Sequence, residues 1–360
     1  MLECAEDVQW RTGFEIELLA PRGASRRDLA EALAGLVGGR VQQIFYPQSE
    51  LSQVPGLQAF ENLTLGFDAP DDEGELVARC VDDVTILEDL DRQAPPLPDW
   101  YRIVSDDARL LRLVMAQCDP DLPLRETLLP VARLFGTDLG YDDDMVRLTD
   151  AMGASVAIGA TMPSERERPC ELITPPMDAD HHAVLSVLLG VARDLGFSVP
   201  VEAAVHIHFD ATRLRSARTV ARLVTLLDRE GDRLKRIVAT NPNCRRLGAF
   251  PKELLDAVAA PGFQDLDWTT AQAKLADLDV TKYCDFNLLN LIHDMPGKPT
   301  FEVRIFPGSM DADQIVRWAR LFSAILEWAI DGADEVPESD AFYRGLALSA
   351  ADLDWALAAD

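Results

Sequence analysis

The sequence predicts an α+β fold whose β-sheet is mostly antiparallel. Many short runs alternate apolar and polar residues with the period of two that is typical of strands. Clusters of Pro, Gly and Asp separate these runs, and amphipathic helices lie between strands without the regular β-α repeat of a parallel sheet. These patterns favour helices packed on an antiparallel sheet over a parallel α/β fold.

The N-terminal part of the chain predicts a strand, a helix and then a β-rich stretch. Residues 11–20 alternate as a strand, and a helix follows from Ser25, whose spacing to Asp28 resembles a capping box. Residues 41–106 contain β-rich runs separated by turn residues, which predict an antiparallel meander. Residues 107–151 turn helical, with breaks at prolines and a glycine.

The remainder of the chain mixes strands and amphipathic helices. The predicted strands cover 153–163, 169–177, 201–210, 280–292 and 299–308, and the predicted helices cover 178–196, 216–239 and 313–331. Two adjacent histidines, His181 and His182, fall near the start of a helix and are interpreted as surface residues.

Composition argues against several classes of function. The net charge of −27 repels nucleic acid and anionic membranes, so neither is an expected partner. No apolar run is long enough to predict a membrane span, and the acidic N-terminus does not resemble a signal peptide. The six cysteines are scattered without a CxxC pair, which is typical of free thiols in a reducing compartment. We therefore expect a cytoplasmic protein.

Four predicted strands carry ionisable side chains on one face and apolar side chains on the other. These side chains are Glu15 and Glu17 in GFEIE, Glu171 in CELITPP, His206 and His208 in VHIHFD, and Glu302 and Arg304 in FEVRIF. A single strand of this kind usually has a solvated polar face. If the four strands are neighbours, however, their polar residues converge, because a half-buried sheet has only one polar face. The converging carboxylates then need protonation or a divalent cation to relieve their repulsion.

The types of these residues indicate which cation would suit them. Carboxylate oxygens with one imidazole suit Mg²⁺ or Mn²⁺ better than zinc, which favours sulfur and nitrogen. Carboxylate-rich metal sites commonly serve phosphates, with an arginine offsetting the charge that develops. Such a metal would also explain how a strongly acidic protein attracts an anionic ligand.

Five segments, taken in order, resemble the putative amidoligase family. They are GFEIE, CELITPP, HIHFD, KYCDFNLLNL and FEVRIFPGSMDADQIVRW. That family belongs to the carboxylate–amine ligase superfamily, which includes glutamine synthetase and γ-glutamylcysteine synthetase. The resemblance extends over about residues 11–325. It implies a curved antiparallel sheet with helices packed on its outer face, as in the catalytic domain of glutamine synthetase.

The resemblance also implies a reaction and roles for the residues. A carboxylate would be phosphorylated by ATP with Mg²⁺ or Mn²⁺, and an amine would attack the acyl phosphate. The substrates would be a small-molecule or peptide carboxylate and an amine. The implied metal ligands are Glu15, Glu17, Glu171, His206 and Glu302, with His208 at the ATP phosphates and Arg304 at the transferred phosphoryl group or acyl phosphate.

Two further pairs of residues are weaker candidates. Asp106 or Asp107 could bind or deprotonate the amine, although a helix N-cap is the favoured explanation for an aspartate at this place. Arg245 and Arg246 lie in an apparent loop and could clamp a phosphate or carboxylate; Arg246 is the one assigned to the nucleotide. The segment 203–205 lacks the glycine-containing turn that relatives tend to have there.

One catalytic domain is expected over residues 1–345, with an insertion at about 41–150 and a helical tail over 346–360. Three alternatives stay open from the residues alone. They are a metal-dependent hydrolase, because an H-x-H strand also occurs in amidohydrolases, a phosphotransferase, and a non-catalytic homologue that binds nucleotide or metal. The sequence does not determine the oligomeric state, and a homo-oligomer is compatible with it.

Overall fold

The computed structural model describes residues 8–51, 59–244, 247–295, 297–332 and 336–358. The fold is α+β with a mostly antiparallel sheet, as predicted. Its strands are β1 Thr12–Leu19, β2 Gln42–Leu51, β3 Ala59–Pro70, β4 Leu76–Val81, β5 Tyr101–Val104, β6 Gly140–Asp142, β7 Met145–Thr149, β8 Ser155–Thr161, β9 Pro169–Ile173, β10 Ala204–Asp210, β11 Phe286–Asn287 and β12 Thr300–Pro307.

Helices account for most of the remaining regular structure. They are α1 Arg26–Leu36, α2 Ala108–Gln117, α3 Leu124–Thr127, α4 Leu129–Phe135, α5 His181–Asp194, α6 Ala217–Val238, α7 Lys252–Ala259, α8 Trp268–Ala276, α9 Leu289–Ile292, α10 Ala312–Asp331, α11 Ser339–Gly345 and α12 Ala350–Leu357. Two 3₁₀ turns cover Thr212–Leu214 and Phe263–Asp265. Among the described residues, no helix has both the length and the apolar character needed to cross a membrane.

The chain divides into two compact units. Unit 1 comprises Met1–Ile16, Thr174–Gly190 and Val201–Asp360, and unit 2 comprises Glu17–Ile173 and Val191–Pro200. The expected boundary between a catalytic domain and a tail at residue 345 stays a prediction.

The sheet of unit 1 has the strand order β11-β12-β10-β1. Its apolar residues alternate along the strands, and Phe14, Ile207 and Val303 are fully buried. A register shift between β10 and β12 interrupts the alternation and brings Phe306 opposite Val205 on the same apolar face. Helix α10 packs against β10, and α6 packs against β12. Phe306 stacks on Trp318 of α10 with 5.0 Å between ring centroids, which fixes the helix against the sheet. Because the apolar residues occupy this face, the alternate residues of the same strands point to the other face.

The strands of unit 2 follow the order β9-β4-β3-β5-β8-β7-β6, with β2 paired to β3. Helix α1 begins after Ser25, whose backbone N–H donates to the Asp28 carboxylate at 2.7 Å, so the predicted capping box is confirmed. The first residue of this helix, Arg26, is fully buried. Its guanidinium donates to the Leu65 and Pro169 carbonyl oxygens, and these bonds tie α1 to β3 and β9.

Three predictions about local structure are wrong. The helical stretch predicted up to residue 151 ends with a hairpin of β6 and β7, whose turn includes Asp143 at a positive φ that aspartate tolerates. The strand predicted over 280–292 is reduced to Phe286–Asn287, because the Asn287 side chain accepts from the Leu289 N–H and turns the chain into α9. His181 is buried rather than exposed, and its ring meets Phe14 edge-on.

Candidate metal centre

Three neighbouring strands of unit 1 position the candidate site. Glu15 on β1 lies opposite His206 on β10, and His208 lies opposite Glu302 on β12. Because these residues alternate with buried apolar residues on their strands, their side chains share the face that turns away from the helices. All four are buried, so the polar face of this sheet is not the solvated surface that a single strand would suggest.

Glu15, His206 and Glu302 form the centre of the site and are called the ligand trio below. Their ligand atoms lie within 4.8 Å of one another. His206 Nδ1 lies 3.6 Å from Glu15 Oε2 and 3.7 Å from Glu302 Oε1. An ion with ligand distances of about 2.0–2.6 Å separates opposite ligands by about 4–5 Å, so the trio has the dimensions of a divalent-cation site. Its two carboxylates and one imidazole also match the ligands predicted for Mg²⁺ or Mn²⁺.

The protonation states of the trio also suit a cation. Burial alone would raise the pKa of Glu15, but His208 and Lys298 hold that pKa well below its usual value. Burial likewise opposes ionisation of Glu302, yet the charges of His208 and Arg304 lower its pKa to about 2. Burial and Arg304 lower the pKa of His206. At neutral pH the trio therefore offers two carboxylates and a neutral imidazole, which is the form that binds metal.

His208 lies beside the trio. Its Nε2 atom is 3.1 Å from Glu15 Oε1 and 3.9 Å from Glu302 Oε1, while its Nδ1 atom is 3.3 Å from the Thr300 hydroxyl. Asn290 donates to the same Thr300 hydroxyl at 2.9 Å and so holds it in place. Among the described residues, the buried Nε2 atom has no hydrogen bond of good geometry. This nitrogen is thus placed to meet a ligand at the trio.

Three residues anchor the two carboxylates of the trio. The Arg304 guanidinium contacts Glu302 Oε1 at 2.6 Å, and the Asn287 amide donates to Glu302 Oε2 at 2.7 Å. The Lys298 ammonium lies 3.1 Å from Glu15 Oε1. Sequence reasoning did not find Lys298, because it lies in a turn before β12 and only the fold brings it to β1. The one available signal was its rarity, since the chain has five lysines and 29 arginines.

Unit 2 holds the other two predicted metal ligands. Glu17 is buried on β1, and Glu171 is half-buried on β9. Each offers a carboxylate oxygen, and these oxygens lie within 4.8 Å of each other. Since Glu17 follows Glu15 by two residues on one strand, the two side chains share a face of β1.

The weaker candidates are the pairs Asp106 and Asp107, and Arg245 and Arg246. Asp107 is the N-cap of α2, where it accepts from the Arg109 N–H at 2.8 Å and pairs with the Arg109 guanidinium. The capping interpretation is therefore the correct one for Asp107. Asp106 is exposed beside it, and its predicted role with the amine stays a prediction. Arg245 and Arg246 lie outside the described residues.

Comparison with known families agrees with this geometry. The family model described as "putative amidoligase enzyme" matches residues 8–326, which include the trio, His208 and Arg304. The chain belongs to this putative amidoligase family. The family is one of ligase-type enzymes, so this amidoligase is classed with them. Its last two helices, α11 and α12, follow the matched residues. No curated protein and no solved structure matches the chain significantly.

Proposed function

We propose that this amidoligase joins a carboxylate to an amine in a reaction that depends on ATP and Mg²⁺ and proceeds through an acyl phosphate. The observation that supports this proposal is the trio of Glu15, His206 and Glu302, buried on one face of the sheet with Arg304 against it. Amide formation from a carboxylate requires activation of that carboxylate, and phosphoryl transfer provides it.

The proposal assigns the metal to the trio. Glu17 and Glu171, whose carboxylate oxygens lie close together within unit 2, keep the role of metal ligands that the sequence predicts for them. Bound Mg²⁺ would neutralise and orient the phosphates of ATP. His208 would donate from its Nε2 atom to a phosphate oxygen, because this buried atom lies beside the trio.

Arg304 would stabilise the negative charge that develops on the transferred phosphoryl group. Its side chain is mostly buried, and the contact with Glu302 holds the guanidinium in one position. Its backbone N–H donates to the Asp285 carbonyl at 3.0 Å, so the main chain is also held. A cation fixed before the reaction stabilises charge without reorganisation, which is the main advantage of a preorganised site. Burial of these groups also limits the water that would hydrolyse an acyl phosphate.

Calorimetric titration with Mg·ATP tests the proposal. Wild type is expected to bind ATP with Mg²⁺ but not ATP in EDTA. Glu302→Gln and His206→Ala are each expected to weaken Mg·ATP binding at least about tenfold, since each removes a ligand or its charge. Glu31→Gln and His182→Ala are matched controls, because both residues are exposed in unrelated ion pairs. Circular dichroism would show that all four variants are folded.

Failure of wild type to bind nucleotide with either Mg²⁺ or Mn²⁺ would overturn the proposal. If binding is found, ADP release should require both a carboxylate and an amine. ADP release that needs only one acceptor, with phosphate retained on it, would instead identify a phosphotransferase.

A further inference from the structure

Each carboxylate of the trio already has a basic partner in this structure. Arg304 contacts Glu302 at 2.6 Å, and Lys298 contacts Glu15 at 3.1 Å. The two positive charges of Arg304 and Lys298 therefore offset the two negative charges of these carboxylates, and the neighbouring His208 adds to the positive side. A divalent cation that enters such a site gains little from electrostatic attraction unless one of the two basic groups leaves its carboxylate.

The two basic groups differ in their freedom to leave. The Arg304 side chain is 12% exposed, and its guanidinium contacts Glu302 at 2.6 Å. The Lys298 side chain is 51% exposed, so its ammonium is accessible to water beside Glu15. An ammonium is a compact and strongly hydrated charge, so Lys298 loses little when it exchanges Glu15 for water.

The backbone of Lys298 is held while its side chain is long and flexible. Its N–H donates to the Met295 carbonyl at 3.1 Å, and its carbonyl accepts from the Thr300 N–H at 2.9 Å. The preceding Gly297 has φ of +75°, a conformation that glycine adopts easily and that shapes the turn before β12. The turn therefore fixes where the side chain starts, and movement is confined to its four methylene groups.

We propose that Lys298 is an exchangeable counter-ion of Glu15, which neutralises this carboxylate in the metal-free protein and leaves it when a divalent cation binds. The inference rests on the proposed role of the trio as a metal site. It adds a residue that the sequence motifs do not contain and gives it a positioning role. Lys298 holds the Glu15 carboxylate in place before the metal arrives, and it also weakens binding of the metal.

Titration with Mn²⁺ alone, without nucleotide, tests the inference on wild type and Lys298→Met. The variant removes the charge and keeps an unbranched side chain. We expect it to bind Mn²⁺ about two- to fivefold more tightly than wild type, the range that corresponds to loss of a half-exposed ion pair. In EDTA its melting temperature should fall by about 1–3 °C, because Glu15 then lacks its counter-ion.

Two further variants make the result specific. Lys298→Arg keeps the positive charge, so its Mn²⁺ affinity should not rise above that of wild type. Lys252→Met is the matched control, because Lys252 is an exposed lysine that pairs with the surface residue Asp256, and its loss should leave the Mn²⁺ affinity unchanged. If Lys298→Met does not fold, Lys298→Gln gives the same comparison with a neutral polar side chain.

The outcomes separate this inference from the proposed function. If wild type binds Mn²⁺ and Lys298→Met binds it equally or more weakly, Lys298 does not compete with the metal and the inference fails alone. If neither wild type nor the variant binds Mn²⁺, the metal site and the inference fail together. Tighter binding by Lys298→Met, with Lys298→Arg like wild type, supports both.

Discussion

Within the trio, the Glu302 side chain is held at both carboxylate oxygens. One of its oxygens contacts Arg304, and the other accepts from Asn287. A carboxylate held at both oxygens stays in one rotamer, and this orientation is what a ligand needs before the metal arrives. The charges of His208 and Arg304 lower the pKa of Glu302 and keep it ionised although it is buried.

Replacement of Asn287 with alanine should loosen Glu302 without altering a ligand. The variant loses the hydrogen bonds to Glu302 Oε2 and to the Leu289 N–H, so we expect a loss of stability of about 1–3 kcal/mol in urea unfolding. Mn²⁺ affinity should fall about tenfold or more, because a hydrogen bond that supports a metal ligand is lost. Asn241→Ala is the control, since this half-buried asparagine makes two hydrogen bonds outside the trio. Equal Mn²⁺ affinity in wild type and Asn287→Ala would show that Asn287 does not position Glu302.

At the scale of elements, α10 supports the sheet that carries the trio. Phe322 of this helix meets Phe306 of β12 edge-on, with ring centroids 5.4 Å apart, and also packs on Phe286 of β11. The helix thus contacts the strand on the face opposite Glu302. Its packing sets where β12 lies and, with it, the position of the carboxylate.

Phe322→Ala should therefore destabilise the protein strongly. Removal of a fully buried phenylalanine costs about 3–5 kcal/mol, because apolar burial is lost and a cavity is left. Met152→Ala is a suitable control, since Met152 is 91% exposed and should give a change within about 0.5 kcal/mol. Urea unfolding measures both. A loss below about 1 kcal/mol for Phe322→Ala would contradict the packing described for α10.

Helix α12 is joined to α10 by ion pairs that depend on pH. The Asp352 carboxylate contacts Arg320 at 2.8 Å and Arg317 at 3.2 Å. Burial would raise the pKa of Asp352, but hydrogen bonds and charge from Arg320, with the charge of Arg317, outweigh it and lower the pKa. A lowered folded-state pKa stabilises the protein above the unfolded-state pKa of about 4, and this contribution is lost as the pH falls through the folded-state value.

We therefore expect Asp352→Asn to be less stable than wild type near pH 7, by about 1–3 kcal/mol for the lost charge-assisted bonds. The difference should shrink as the pH falls from about 5 towards 2, because wild-type Asp352 then becomes protonated. Unfolding of both proteins across this pH range provides the measurement. A difference that stays constant or grows at low pH would show that the charge of Asp352 is not the stabilising feature.

For the whole molecule, the sequence predicts which side chains share a face of a strand better than it predicts which strands are neighbours in the sheet. Alternation along β1 correctly placed Glu15 and Glu17 on one face, and the same was true of Glu302 and Arg304 on β12. The pairing of β10 with both β1 and β12 depends on long-range register, which one sequence does not contain. This pairing buries His206 and His208, whereas a strand considered alone predicts a solvated polar face.

The positions of Lys298 and His181 were not predicted, and the physical reason is the same for both. Lys298 reaches Glu15 from a turn 283 positions further along the chain, so no local pattern connects the two. His181 follows Asp180, whose positive φ of 59° redirects the chain at the start of α5 and sends the ring inward. A local sequence pattern predicts whether a segment is a strand or a helix. The direction in which a turn leads the chain depends instead on the residues against which it packs.

The most direct test of the central claim, that the trio holds a divalent cation, is pulsed electron paramagnetic resonance of bound Mn²⁺. Nitrogen-14 modulation from a coordinated imidazole should appear in wild type and in the control His182→Ala, and it should be lost in His206→Ala. Persistence of the modulation in His206→Ala, or its absence from Mn²⁺-loaded wild type, would contradict the account.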